Sequence, residues 1–238
     1  EGSCNWYLIP ENGIFNGSGL SSVKWEEGAT QIASYLFLGC ESLKNVNIPD
    51  TVTVIESGAF AYTSLEKITI PNAVTEIGAY AFHSCEELKS ADISDSVNII
   101  EYGAFENCIQ LANVNLSKGL TYLGESAFEK CISLTEITIP KSLDEGSCSS
   151  YLIPENGIFN GSGLSTVNWE EGTTQIASYL FLGCKSLQKV EIPESVTVIE
   201  SGAFAYTGLV EISIPSAVTE IGNYAFLSCT ELEKAKLP

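Results

Sequence analysis

The sequence predicts a solenoid, a rod of about ten stacked coils, and three observations predict it. All ten phenylalanines of the 238-residue chain fall at near-regular steps: Phe15, Phe37, Phe60, Phe82, Phe105, Phe128, Phe159, Phe181, Phe204 and Phe226 stand 22 or 23 residues apart, with one step of 31. A leucine follows each by five or six residues, from Leu20 and Leu43 through to Leu232. Three residues further comes Val, Ile or Ala, and two beyond that Ile, Leu or Trp. A unit this short cannot bury its apolar side chains alone. Stacking sets each apolar column over its neighbour and joins the units into one core.

Within a coil the elements follow in order. The coil from Phe105 to Phe128 has apolar columns at Phe105, Leu111, Val114, Leu116, Leu120 and Leu123. The Leu-x-x-Val-x-Ile stretch alternates in and out, is β-branched, and is often stopped by proline (Pro49, Pro71, Pro140, Pro193, Pro215), so it reads as one short strand per coil. These strands are expected to stack into one parallel sheet. Val-Thr-x-Ile, as in Val52 to Ile55, reads as a second, shorter strand, and the Ser-Gly-Ala-Phe segment as a short helical turn on the opposite side. Trp25 and Trp169 take the place of Ile in the strand column, where core filling is the simple role.

A longer repetition overlies the coils. Residues 1–94 recur at 145–238 with a fixed offset of 144 and 24 differences. The 31-residue step equals one coil plus eight residues, which places an inserted loop at about 144–151 beside a single solenoid spanning 1–238. The alternative is that this loop separates two subdomains. The chain stops immediately after a strand, so more chain is expected to follow. The expected state is a monomer, with end-to-end contacts arising from truncation.

Charge narrows the partners. Thirty acids face 11 lysines and no arginine, a net charge of -19, which repels phosphate backbones and anionic lipid. Nucleic acid is therefore excluded as a partner, and with no run of 18 apolar residues no membrane insertion is expected. No cofactor motif, P-loop or nucleophile elbow is present. His83, the only histidine, has Leu227 as its counterpart in the second copy, which fits a place beside the core or on a turn better than a catalytic role. Six cysteines, Cys40, Cys85, Cys108, Cys131, Cys184 and Cys229, stand three residues after the repeat Phe and form a ladder of free thiols; no clustered pair suggests a metal. Cys4 and Cys148 lie outside the ladder and too far apart to bond each other, which leaves a Cys131 to Cys148 bridge as a hypothesis.

The pattern Ile-x-x-x-Ala-Phe-x-x-Cys-x-x-Leu-x-x-Val-x-Ile-Pro-x-x-Val-Thr-x-Ile, seen with departures from Ile77 and again from Ile199, resembles the BspA-type (Treponema-type) leucine-rich repeat, and nearly the whole chain is covered. The resemblance implies a leucine-rich-repeat solenoid of the α/β horseshoe class, β-rich, of bacterial origin, secreted or on the cell surface. It also implies a non-enzymatic extracellular binding or adhesion module whose partner is a host or cell-surface protein or glycan. The alternative is a structural spacer of a larger cell-surface protein.

Two faces offer candidate residues. The outward strand positions, two and four past each repeat Leu, differ in all eight comparable pairs of the two copies: Ser22/Thr166, Lys24/Asn168, Asn45/Lys189, Asn47/Glu191, Lys67/Glu211, Thr69/Ser213, Ser90/Lys234 and Asp92/Lys236. This face supplies Lys24, Asn45, Asn47, Lys67, Asp92, Asn113, Asn115, Lys189, Glu191 and Lys234 as ligand-binding candidates. Tolerance of exposed sites to change is the competing explanation. On the turn side Tyr35, Tyr62, Tyr80, Tyr179, Tyr206 and Tyr224 recur, either as a sugar- or protein-binding stripe or as cover for the core between coils.

Overall fold

The computed structural model describes residues 13–143 and 156–238, and the ten rings stack in it from end to end. Successive phenylalanine centroids lie 5.0 to 6.2 Å apart with planes within 19° of parallel. The seven rings of Phe60, Phe82, Phe105, Phe128, Phe159, Phe181 and Phe204 are fully buried. One continuous apolar core runs from Ile32 to Ala225.

Two columns of parallel strands run along the stack. The two-residue column is the regular one. It comprises β1 (Gln31–Ile32), β2 (Val54–Ile55), β4 (Glu76–Ile77), β6 (Ile99–Ile100) and β8 (Tyr122–Leu123) in one sheet, then β11 (Gln175–Ile176), β12 (Val198–Ile199) and β14 (Glu220–Ile221) in another. These eight strands mark about eight regular turns, fewer than the ten read from the phenylalanine spacing. The coil begun by Phe128 runs into residues outside those described, and the coil begun by Phe226 ends before this position. Leu-x-x-Val-x-Ile supplies the other column: β3 (Lys67–Ile70), β5 (Ser90–Ile93), β7 (Asn113–Asn115), β9 (Glu136–Ile139), β10 (Thr166–Trp169), β13 (Glu211–Ser213) and β15 (Lys234–Lys236). Each proline that stops a strand accepts, at its carbonyl, the N–H of the residue three on, as in Val74 to Pro71 at 3.1 Å. That bond makes the turn from the Leu-x-x-Val-x-Ile column into the two-residue column.

The expected single sheet is broken. The Leu-x-x-Val-x-Ile column divides into β3-β5-β7, β9-β10 and β13-β15. One cause is tryptophan. The Trp25 and Trp169 rings stand edge-on to Phe37 and Phe181 at 5.9 Å. The widest ring spacings of the stack, 6.1 and 6.2 Å, lie at these two coils. Each indole N–H donates to a backbone carbonyl of the next coil, Asn47 at 2.6 Å and Glu191 at 2.8 Å, at the position where a ladder bond would fall. At β7 the cause is composition: Asn-Val-Asn is a poor strand former.

The turn side contains no helix among the described residues. In the coil of Phe37, the backbone N–H groups of Tyr35, Phe37 and Gly39 donate to Ser57, Ala59 and Ala61 of the next coil, while Leu36, Leu38 and Cys40 close local turns on Ala33, Tyr35 and Phe37. Such alternation excludes a helix, in which every N–H points along one axis to the fourth residue before it. The alternation rests on left-handed residues two before and two after the ring, such as Tyr35 at φ 57° and Gly39 at 70°. Tyrosine before one ring alternates with glycine before the next, with Ser126 in place of tyrosine before Phe128, for a steric reason. A Cβ on Gly58 or Gly202 would stand 2.3 Å from the ring carbons of Tyr35 or Tyr179.

Candidate ligand-binding face

The strand face is built by period-two alternation: Ile68, Ile70, Ala91 and Ile93 point into the core, and their neighbours point out. Parallel pairing puts the outward residues in rows. Lys67, Ser90 and Asn113 are in register, as are Thr69, Asp92 and Asn115. Beyond the break, Glu136 pairs with Thr166 and Thr138 with Asn168.

Grooves lie on this face at breaks of the sheet among the described residues. One holds adjoining hollows of about 470 and 380 Å³ across β5, β7 and β9, and it gathers Asp92, Asn113, Asn115, Glu136 and Thr138. Another, of about 510 Å³, gathers Lys189, Glu191, Glu211, Lys234 and Lys236. In the second groove Lys189 reaches Glu191 at 3.7 Å and Glu211 at 3.9 Å. These are solvated pairs, each worth well under about 1 kcal/mol. The structure therefore brings Asp92, Asn113 and Asn115 together in one groove and Lys189, Glu191 and Lys234 in the other. Lys24, Asn45, Asn47 and Lys67 are exposed on the same face but line neither. Glu136 and Thr138 were not among the candidates, although they stand two and four residues past Leu134 and the same counting rule finds them.

The tyrosines separate by position. Tyr35, Tyr80 and Tyr179, two before their rings, are half-buried or buried against the next coil, whereas Tyr62 and Tyr206, two after, are exposed. Tyr224 is exposed in the last turn. Lys185 lies 5.8 Å over the Tyr206 ring. Burial, reinforced by Tyr102, pushes the Tyr80 hydroxyl up.

Tyr62 begins a polar chain that crosses four coils. Its hydroxyl lies 3.2 Å from His83 Nε2. His83 Nδ1 stands 3.3 Å from Glu106 Oε2 without the alignment of a hydrogen bond. Lys130 Nζ lies 4.0 Å from Glu106 Oε1 and 3.1 Å from Glu129 Oε1, and Ser126 Oγ donates to Glu129 Oε2 at 2.7 Å. The hydrogen bond to Glu129 raises the affinity of Lys130 for its proton. Sequence reasoning missed Glu106, Glu129 and Lys130. The signal was present: His83, Glu106 and Glu129 each stand one residue past a repeat Phe.

The cysteine ladder is structural. Each Sγ donates to the carbonyl of the phenylalanine one coil earlier, Cys85 to Phe60 and Cys108 to Phe82 both at 3.1 Å. In the shorter coils Thr63 and Thr207 take the place of the thiol, bonding Phe60 and Phe204 at 2.9 Å. Burial pushes the thiols of Cys108, Cys131 and Cys184 well up from the ordinary 9.0. Cys131 is a free thiol donating to Phe105, so the Cys131 to Cys148 bridge is not formed; Cys4 and Cys148 themselves lie outside the described residues.

Comparison with known proteins fixes the family. The BspA type leucine rich repeat region matches residues 9–117, 75–152 and 153–238, in six copies. The chain belongs to the BspA-type leucine-rich repeat family. Among solved structures, a leucine rich cell surface protein from Faecalibacterium prausnitzii is similar at 30% identity over 92% of this chain, with a TM-score of 0.54. A leucine-rich repeat protein from Bacteroides ovatus is similar at 29% identity over 88% of this chain, with a TM-score of 0.50. The chain spans 60% and 65% of the lengths of those two proteins. No curated protein matches it. The BspA-type repeat thus relates the chain to bacterial surface leucine-rich repeat proteins, and no helix among the described residues is long and apolar enough to cross a membrane.

Proposed function

We propose that the chain is a non-enzymatic binding module that works outside a bacterial cell, secreted or held at its surface, and meets its ligand across the strand face. The observation that carries this reading is the contrast between layers. All eight comparable outward pairs of the two copies differ, while every phenylalanine of the ladder is kept. A spacer needs only the ladder and leaves the outward differences to tolerance; a binding face puts them to use coil by coil. The exposed location draws support from the Faecalibacterium relative, described as a cell surface protein. A repeat scaffold gathers affinity from modest contacts on successive coils instead of one deep site.

The test is retention of the chain on panels of glycans and extracellular-matrix proteins. A bulky change on the strand face, Thr69→Trp with Ser213→Trp, is expected to abolish retention, while Tyr62→Ala with Tyr206→Ala on the turn side leaves it. Retention by neither panel would transfer the case to the spacer.

A further inference from the structure

Between β7 and β9 the solenoid opens on one side only. The turn side stays closed: Phe105 and Phe128 stack at 5.2 Å, and Gly103, Phe105 and Asn107 donate to Glu125, Ala127 and Glu129 at 2.8 to 3.0 Å. On the strand side, each adjacent coil boundary carries a bond just past the repeat Leu, from Lys89 to Glu66, Ala112 to Lys89 and Ser165 to Thr135. Among the described residues no such bond joins Thr135 to Ala112, and β7 and β9 do not pair. The result is a wedge that leaves the edges of β7 and β9 facing a hollow of about 380 Å³, continued past the strand ends by one of about 470 Å³.

The polar groups around this wedge divide into occupied and open. Asp95 accepts the N–H of Lys118 at 3.1 Å, Glu170 accepts that of Lys141 at 3.0 Å, and Glu136 accepts the amide of Asn168 at 2.6 Å. Among the described residues the side chains of Asp92, Asn113 and Asn115 make no hydrogen bond. All three are exposed on the strand face and line the hollows. They offer amide donors, amide acceptors and one carboxylate over a floor that includes Val114, Leu116 and Pro140.

We infer that this opening is a binding site for a neutral polysaccharide. The inference rests on the strand-face reading above and names its ligand class. A sugar presents hydroxyls that both donate and accept, on a ring with apolar C–H faces, which fits amides set over an apolar floor. Anionic polymers are disfavoured by a net charge of -19 and by Asp92, Asp95 and Glu170 at the rim. A protein partner is disfavoured because the lining holds no Trp, Tyr, Phe or Arg, the residues in which interface energy concentrates. Asp92 and Asn115 are in register on paired strands about 4.8 Å apart, and Thr138 lines the same hollows across the opening, so the three present polar groups in a row to successive hydroxyls of an extended chain.

The experiment is affinity electrophoresis and calorimetry of the 238-residue chain with soluble β-glucan, α-glucan and mannan, with heparin and polygalacturonate as anionic comparators. At least one neutral polymer is expected to bind, and Asn113→Ala with Asn115→Ala to weaken it about tenfold or more, the loss of one to two net hydrogen bonds. Both asparagines are exposed, so an unchanged melting temperature separates this loss from unfolding. Neutral binding untouched by the asparagine pair, or lost with Tyr62→Ala and Tyr206→Ala, overturns this site and leaves a binding module standing. Retention of matrix proteins alone overturns the ligand class. Binding of nothing on either panel sinks the site and the binding reading together.

Discussion

Residues 76–82 and 220–226 differ at one position, Ala79 against Asn223, yet the fold treats them differently. Ile77 is fully buried and Ile221 is 47% exposed; Tyr80 is half-buried and Tyr224 is 57% exposed. The sequence around each pair is almost unchanged, so local propensity cannot explain the contrast. The difference is the next coil. Glu101 donates its N–H to Ile77 at 2.9 Å, and Tyr102 packs on Tyr80 with ring centroids 5.2 Å apart; nothing described sits on Ile221 and Tyr224 in the same way. The unit of stability in this molecule is therefore a coil with its successor, not a coil.

That lesson is broken most directly at the ring ladder. Phe105→Ala removes a fully buried ring stacked on both sides, at 5.0 and 5.2 Å, and is expected to lower stability by about 3–5 kcal/mol. Phe226→Ala removes a half-buried ring stacked on Phe204 alone at 5.5 Å and is expected to lose less than half as much. Urea midpoints measure both. Equal losses would mean that the shared core is not what stabilises the coil.

Alkaline pH sharpens the same contrast through the thiols. Burial raises the folded-state values of Cys108, Cys131 and Cys184 above the ordinary 9.0. Above pH 9 the unfolded chain releases these protons and the folded chain keeps them. Stability is therefore complete below pH 9 and falls as pH rises, by at most about 1.4 kcal/mol per thiol per pH unit. Cys131→Ala and Cys184→Ala are each expected to flatten the decline in urea midpoint between pH 9 and 10. Labelling adds the comparison between copies: Cys229, half-buried in the last turn, is expected to react with iodoacetamide before its buried counterpart Cys85.

Legibility from sequence follows what each feature depends on. The ring column, the cysteine ladder and the duplication are periodic, and a period survives in a one-dimensional string; Phe15 through Phe226 stack as the spacing requires. The sheet breaks depend on shape. Trp25 and Trp169 occupy the Ile column in the sequence, but the wider coil spacing and the indole bond to the next coil appear only when two coils meet. The turn side was read as helical because Tyr-Ala-Phe and Gly-Ala-Phe have nothing against a helix locally. The left-handed tyrosines that forbid it are held by bonds to the following coil. At the strand-face grooves the residue types were readable, and the opening between β7 and β9 was not, because it is an absence of pairing between residues more than 20 apart.

The smallest expected effect tests a polar contact on the turn side that the first copy has and the second lacks. His83→Leu converts the first copy to the residue found at 227, where the leucine packs against Tyr179, Leu182 and Ala205. The change removes the contact to the Tyr62 hydroxyl and the poorly aligned approach to Glu106, a loss of about 1 kcal/mol. It gains apolar burial beneath Tyr62 and Tyr80, whose rings stand 5.2 and 5.4 Å from the imidazole, an opposing contribution of similar size for a half-buried side chain. The urea midpoint at neutral pH is therefore expected to correspond to a change within about 1 kcal/mol. A loss beyond about 2 kcal/mol would mean that Tyr62, His83, Glu106 and Lys130 act as one cooperative chain across four coils, and that the first copy is held together on its turn side by a device the second copy does without.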